Sequence, residues 1–224
     1  MQTASIISYS DNKVSDLFAE SIRAHLLSIS GDIPIISVTQ KPIDLGQNIC
    51  IGEIGSSIYN CYRQVLIAAR AATTDCVIHC EDDTLYNIEH FAYRPALDTF
   101  AYNKSRWWVE EQNVFRWRNR SAMHAAISPR ELLIETLEKR FELYPTHVSE
   151  KKIIRNWGEC GRYEGNMNLP IVKLETFMTT LPIVTFNHRG SLMGMRRWNE
   201  SDRIQEHLEP WGAAKELREK MHAA

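Results

Sequence analysis

Cys76-Val77-Ile78-His79-Cys80-Glu81-Asp82-Asp83 drives an apolar stretch straight into three consecutive carboxylates. The first five residues read as a buried strand, and the chain turns after the acids. Three adjacent carboxylates repel one another, and a strand end beside a core also strips them of water. An isolated Glu-Asp-Asp is more often a solvated acidic turn. A divalent cation among the acids would convert repulsion into binding. Mg2+ and Mn2+ take oxygen ligands and commonly share their coordination with substrate phosphates. The position of this strand in the fold decides between the two readings.

The elements before it alternate. Ala4–Ser10 is short and β-branched, a buried strand. Val14, Leu17, Phe18, Ile22, Leu26 and Ile29 recur at helical spacing, and Gly31 stops that helix. Ile33–Thr39 is a second strand, and Gln40–Gly55 reads as a loop. Ser56 or Ser57 caps a helix that runs to about Ala72, before the Cys76–Cys80 strand. This order predicts an α/β domain whose mixed, mostly parallel sheet is flanked by helices. Ligands of such sheets collect at the carboxyl ends of the strands. Tyr9, Ser10 and Asp11 end the first strand, so they and Glu81–Asp83 face one binding edge. That placement favours the metal reading.

The middle is less regular. Arg106–Val109 and Val114–Arg118 predict two strands, the second antiparallel. Ser128-Pro129-Arg130-Glu131 predicts a helix start with Ser128 as cap and Glu131 completing a capping box. Leu132, Leu133, Leu137 and Phe141 continue it. The polar stretch from Tyr144 to Pro170 has no readable period. Thr180–Phe186 predicts a last strand leading to Asn187-His188-Arg189-Gly190, and helical residues rich in Glu, Lys and Arg finish the chain.

Composition narrows the classes. With 224 residues, 44% hydrophobic and 24% charged, one globular domain is the simplest expectation. No apolar run approaches the roughly 20 residues that span a bilayer, and no signal-peptide pattern opens the chain. Five cysteines (50, 61, 76, 80, 160) fit no zinc spacing. Cys76 and Cys80 share a strand face, so reduced buried thiols and a cytoplasmic setting are expected. A formal net charge of −2 argues against a globally basic nucleic-acid binder but leaves room for a local patch.

Several motifs then fall in one order: Tyr62-Arg63-Gln64, Glu81-Asp82-Asp83-Thr84-Leu85-Tyr86, His90-Phe91, His188-Arg189-Gly190 and Arg197-Trp198. In this order, over roughly residues 4 to 200, the chain resembles nucleotide-sugar glycosyltransferases of the GT-A (Rossmann-like) fold, most closely small bacterial and phage members. The resemblance implies one domain over 1–224. Residues 1–100 would form the nucleotide-sugar-binding half, ending in the acidic motif. Residues 101–224 would form the acceptor-binding half and C-terminal helices. It implies that Asp83 and His188 ligate Mn2+ or Mg2+, and that Asp82 or Glu81 meets the donor ribose or a metal-bound water. Tyr9 and Asp11 would lie by the base and ribose of a UDP-sugar. Arg189, Arg196 and Arg197 would stabilise the leaving diphosphate. Arg63 would contact the donor or pair structurally with the acidic motif. Glu159, in Trp157-Gly158-Glu159-Cys160-Gly161, is the candidate catalytic base, although Cys160 stands where such members often have Pro. Glu164 and Glu150 are alternatives.

Lys104, Arg106, Trp107, Trp108, Arg116, Trp117, Arg118 and Arg120 crowd one stretch. Arginines interleaved with tryptophans can grip phosphates and stack on bases. The plainer reading is a strand pair with Trp inside and Arg in water. Together with the resemblance, Arg106, Arg116, Trp117 and Arg118 suggest duplex DNA as acceptor, leading to a hydroxymethylated pyrimidine in phage DNA. A cell-envelope glycan or small molecule is the other acceptor class. A nucleotidyltransferase would share sheet and metal site, but Ser8-Tyr9-Ser10-Asp11-Asn12 lacks the Gly-rich loop such enzymes carry there. A binding module without activity is the remaining alternative.

Overall fold

The computed structural model describes residues 2–117, 119–146, 157–188 and 203–223. In chain order the strands are β1 (Ala4–Ser10), β2 (Ile35–Thr39), β3 (Gln47–Cys50), β4 (Cys76–Glu81), β5 (Thr84–Leu85), β6 (Thr99–Asn103) and β7 (Arg106–Val109). They continue with β8 (Phe115–Trp117), β9 (Ala126–Pro129), β10 (Lys173–Phe177), β11 (Ile183–Phe186), β12 (Arg203–Gln205), β13 (His207–Leu208) and β14 (Gly212–Ala213). The helices are α1 (Asp16–Ser30), α2 (Ile58–Ala71), α3 (Ile88–Ala92), α4 (Arg130–Leu143) and α5 (Ala214–Ala223).

The main sheet has seven strands in the order β10-β6-β9-β4-β1-β2-β3. Strand β9 runs antiparallel to both neighbours, and the other pairings are parallel. This is the mixed, mostly parallel sheet flanked by helices that the alternation of elements predicts. A second sheet, β12-β8-β7-β11-β5, packs beside it. Strands from before and after residue 100 share both sheets.

Alternation along β1 and β4 sets the two faces. Ile7, Tyr9 and Val77 join a cluster with α2 and α4, while Ile6, Cys76, Ile78 and Cys80 join one with Leu26 of α1 and Phe91 of α3. Both faces are covered, which is why β4 reads as an unbroken apolar run. A third cluster joins Phe18 and Ile22 of α1 to Val109, Phe115, Phe186 and Leu217. All five cysteines are free, three of them buried. Among the described residues no helix is long and apolar enough to cross a membrane.

Three local expectations are corrected. The stretch 40–55 is not all loop, because Gln47–Cys50 pairs with β2 as an edge strand. Strand β10 has no counterpart in the sequence reading, since its residues are mostly exposed and show little alternation. The capping box at Ser128 does not form. Ser128 belongs to β9, paired with Val77, and its hydroxyl lies 3.0 Å from His79 Nε2, so Pro129 occupies the cap position instead.

His79 and His90 are buried in this core, and loss of solvation lowers both to about 3. In the unfolded chain a histidine titrates near 6.5. The folded values are depressed, so this stability is present above about pH 6.5 and is lost as pH falls toward about 3. Each residue should cost about 2 kcal/mol at pH 5. Urea unfolding between pH 7.5 and 5 should therefore show a change in stability that is about 2 kcal/mol less unfavourable in His90→Gln than in wild type. Equal acid sensitivity in wild type and variant would remove His90 from this account.

Candidate active site

Strands β1 and β4 are adjacent and parallel, with Tyr9 opposite Glu81, so Ser10–Asn12 leave the sheet beside Glu81–Asp83. Polar side chains lash this edge together. Asn12, at φ 55°, accepts through Oδ1 from the backbone N–H groups of Gln40 and Lys41 at 2.8 and 2.9 Å. Gln64 of α2 donates to the carbonyls of Ser10 and Val38 at 2.7 and 2.8 Å. The Ser10 hydroxyl donates to Asp82, and the Ser56 hydroxyl donates to Asp11. Burial, and next the charge of Asp83, push Asp82 up to about 7. Between about pH 4 and 7 it opposes the stability trend of the histidines.

The turn after Asp83 leads into β5, which pairs antiparallel with β11, Thr84 opposite Thr185. The Phe186 N–H donates to the Asp83 carbonyl at 2.8 Å. Two residues beyond, His188 Nε2 lies 3.4 Å from Asp83 Oδ2. Residues 105 positions apart thus meet at the carboxyl edge. A hydrogen bond accepted by Asp83 raises the His188 pKa, burial works against it, and the charges of Asp83, Asp82 and Asp11 add to the rise. Among the described residues no three His, Cys, Asp or Glu side chains converge as a ready-made metal cage. The Asp83 carboxylate is an oxygen donor of the kind that Mn2+ and Mg2+ take, with the His188 nitrogen beside it as a second donor better matched to Mn2+ than to the harder Mg2+.

One participant has no signal in the sequence. His124, in the short helical turn before β9, places Nδ1 3.5 Å from Glu81 Oε2 and Nε2 3.1 Å from the Thr185 hydroxyl. The Thr84 hydroxyl lies 3.1 Å from that of Thr185 and donates to Asp83 Oδ1 at 2.9 Å. Glu81 and Asp83 are therefore joined through His124 and two threonines. His124 lies in no recognisable motif, and only the fold brings it to the acids.

Other expected site residues stand elsewhere. Tyr9 is buried against α2, edge-on to the His79 ring, because alternation along β1 turns it inward. Arg63 is exposed on α2, lining an open groove of about 890 Å3 with Asn60, Arg70 and Phe141. No ion pair joins it to the acidic motif among the described residues, and Gln64 is the residue of that helix that holds the edge. Arg106 and Arg116 are 1% and 0% exposed, so neither forms a basic strip for DNA. Arg116 is paired with the buried Glu110, and both guanidinium groups lie over Trp108, at 5.4 and 5.6 Å from the ring centre. A buried carboxylate holds the cation inside. Trp117 is half-buried, donates to the Lys104 carbonyl at 2.8 Å and carries Arg203 on its ring at 5.0 Å.

The loop with Glu159 is anchored by Tyr62, which donates to the Gly158 carbonyl at 2.6 Å, and by Tyr102, which donates to the Cys160 carbonyl at 2.7 Å. Glu159 itself is half-buried, 3.4 Å from Arg162. Glu164 is buried against Arg140, which removes it as an alternative base. Arg118, Glu150, Arg189, Arg196 and Arg197 lie outside the described residues.

No protein-family model and no curated protein sequence matches this chain. Solved structures do resemble it. A glycosyltransferase involved in glycosylation of the major capsid of PBCV-1 is 10% identical, with 82% of this chain and 93% of that chain covered and a TM-score of 0.49. A nucleotidyl transferase from Methanothermobacter thermautotroptrophicus is 12% identical, with 81% and 88% covered and a TM-score of 0.46. The apo glycosyltransferase GlyE of Streptococcus pneumoniae TIGR4 is 12% identical at a TM-score of 0.46, with 77% of this chain covered. This chain spans 45% of the GlyE chain. Likenesses of this size carry no functional argument, and the reading below rests on the side chains just described.

Proposed function

We propose that the chain is a metal-dependent glycosyltransferase of the GT-A type. The observation that carries this reading is the meeting of Asp83 and His188 at the carboxyl edge of the sheet. A nucleotide-sugar donor, with a UDP-sugar as leading candidate, lies across the ends of β1 and β4. Asp83 and His188 are the residues that would hold Mn2+ or Mg2+. When bound, the ion supplies Lewis-acid neutralisation of the leaving group. Glu81 and Asp82, fixed by His124 and Ser10, orient the ribose, and Asp11 faces the same space. The sequence alone assigns Arg189, Arg196 and Arg197 to balancing the charge of the leaving diphosphate. In an inverting transfer the acceptor oxygen bonds to the anomeric carbon as the bond from that carbon to the diphosphate oxygen breaks. Glu159 takes the acceptor's proton, and the electron pair leaves with the nucleoside diphosphate.

The acceptor is a hydroxyl-bearing molecule. With Arg106 and Arg116 inside the protein, Lys104, Trp117, Arg120 and Arg203 are the residues among those described that would meet duplex DNA. Binding that weakens steeply with salt supports DNA, and salt-insensitive activity on glycans or small molecules supports the other class.

A panel of UDP-, GDP- and dTDP-sugars, each with Mn2+ or with a chelator, tests the reading. At least one donor should raise the melting temperature only when Mn2+ is present, because a ligand of the native state stabilises it. Slow release of nucleoside diphosphate should accompany that shift. No Mn2+-dependent shift with any donor rules the transferase out, and pyrophosphate release from a nucleoside triphosphate and a sugar phosphate favours a nucleotidyltransferase. His188→Ala should raise the Mn2+ requirement by at least the roughly 10- to 100-fold that losing a group behind a ligand costs, with activity partly restored by excess Mn2+. A wild-type Mn2+ response there makes His188 structural.

A further inference from the structure

The buried arginine on β8 is connected to the site. Arg116 is paired with Glu110, which sits at the end of β7 where the β7–β8 hairpin turns. Glu110 Oε1 faces Arg116, and its other oxygen, Oε2, accepts from the Asn187 side-chain amide at 2.7 Å. The Asn187 backbone N–H donates to the Val109 carbonyl at 2.9 Å. Glu110, Arg116 and Asn187 are 2%, 0% and 3% exposed. Asn187 is the residue immediately before His188, and the Phe186 N–H just upstream is bonded to the Asp83 carbonyl.

We propose that Asn187, clamped by the buried Glu110–Arg116 pair, is a positioning residue that holds His188 against Asp83. The inference rests on the transferase reading for its consequence in metal binding, though not for the geometry itself. Strand β11 ends at Phe186, so His188 stands beyond the ladder that fixes the residues before it. The Asn187 N–H bond to Val109 is the last backbone tie to β7, and by itself it leaves the Asn187 Cα and the peptide leading to His188 room to turn, which would swing the imidazole away from Asp83. The Asn187 side-chain amide bond supplies a further tether inside the core, where no water competes for it. The contact with Arg116 fixes the Glu110 carboxylate, so its other oxygen stays aimed at Asn187. Groups that orient a metal ligand from behind typically change metal affinity 10- to 100-fold when removed. The Arg-Trp stretch then serves the site from within the core.

The test is Asn187→Ala, which leaves Glu110 with Arg116 and touches neither Asp83 nor His188. In metal-free protein, the His188 imidazole N–H should give a protected NMR signal in wild type and an exchange-broadened one in the variant. The Mn2+ requirement, followed with UDP as probe, should rise at least tenfold while the unfolding transition stays cooperative. If Asn187→Ala does not fold, Asn187→Ser serves, since its shorter donor should give the same two changes at smaller size. An unaltered His188 signal in the variant overturns the inference. So does a wild-type Mn2+ requirement in a protein that binds UDP with Mn2+. Failure of wild type to bind UDP with Mn2+ overturns the consequence for metal binding and counts against the transferase reading, while the NMR result still decides the positioning role.

Discussion

Asp83→Ala should abolish Mn2+-dependent donor binding and lower kcat/KM about 10^3-fold, while the metal-free protein becomes no less stable than wild type. Losing one preorganised charge partner of a transferring group costs about 10^2- to 10^3-fold, and losing a metal ligand adds to it. The stability half of the prediction comes from the neighbouring acids. Asp83 contributes to the rise of Asp82, second only to burial, so removing it relieves a repulsion. Against that gain stand the lost hydrogen bond from the Thr84 hydroxyl at 2.9 Å and the longer contact with His188 at 3.4 Å. Such a bond is worth about 1 kcal/mol net. Melting curves without metal, alongside initial rates with Mn2+, separate the two halves. Unchanged turnover would dispose of the metal site. Loss of activity together with a collapsed transition would make Asp83 a structural residue.

The second large effect concerns stability. Glu164→Ala should cost about 3–5 kcal/mol, because it strands a cation in the core. Arg140 is 0% exposed, donates from Nε to Glu164 at 2.9 Å and from a terminal nitrogen to the Gly158 carbonyl at 2.8 Å. Its guanidinium also lies 5.4 Å from the centre of the Tyr62 ring. One arginine therefore joins α4, α2 and the loop that carries Glu159, and the variant should lose activity as well as stability. The double replacement Arg140→Met with Glu164→Leu should cost far less than the single one, since a buried pair exchanged for apolar groups is often near neutral. Urea unfolding of the variants measures this directly. Single and double variants of equal instability would show that volume, rather than stranded charge, sets the cost.

The two arginine pairs mark where the sequence stops being readable. Arg106 and Arg116 are read as candidate surface cations because strand alternation tells which residues share a face, but not which face is wet. Glu110, six positions before Arg116 and across a hairpin turn held by Asn113 at φ 59°, is a usable signal. A carboxylate that can meet an arginine across a hairpin permits its burial. Glu164 carries no comparable signal, because its partner lies 24 residues away. Strands β3 and β10 escape a pattern-based reading for a different reason. Both lie at sheet edges, where exposed residues dilute the apolar signal.

What the residues determine unaided is local. The abrupt passage from Cys80 to Glu81-Asp82-Asp83 sets a strand end, and the alternation of β1, α1, β2, α2 and β4 sets a parallel sheet whose carboxyl edge carries those acids. His188 is found as the polar end of a late apolar strand. Distances between remote segments were decided by packing. The antiparallel pairing of β5 with β11 brings His188 to Asp83, the position of β9 beside β4 brings His124 to Glu81, and burial turns Arg116 inward to Glu110. The physical reason is that hydrophobic periodicity encodes which side of an element is dry, whereas register and burial of charge depend on partners far along the chain.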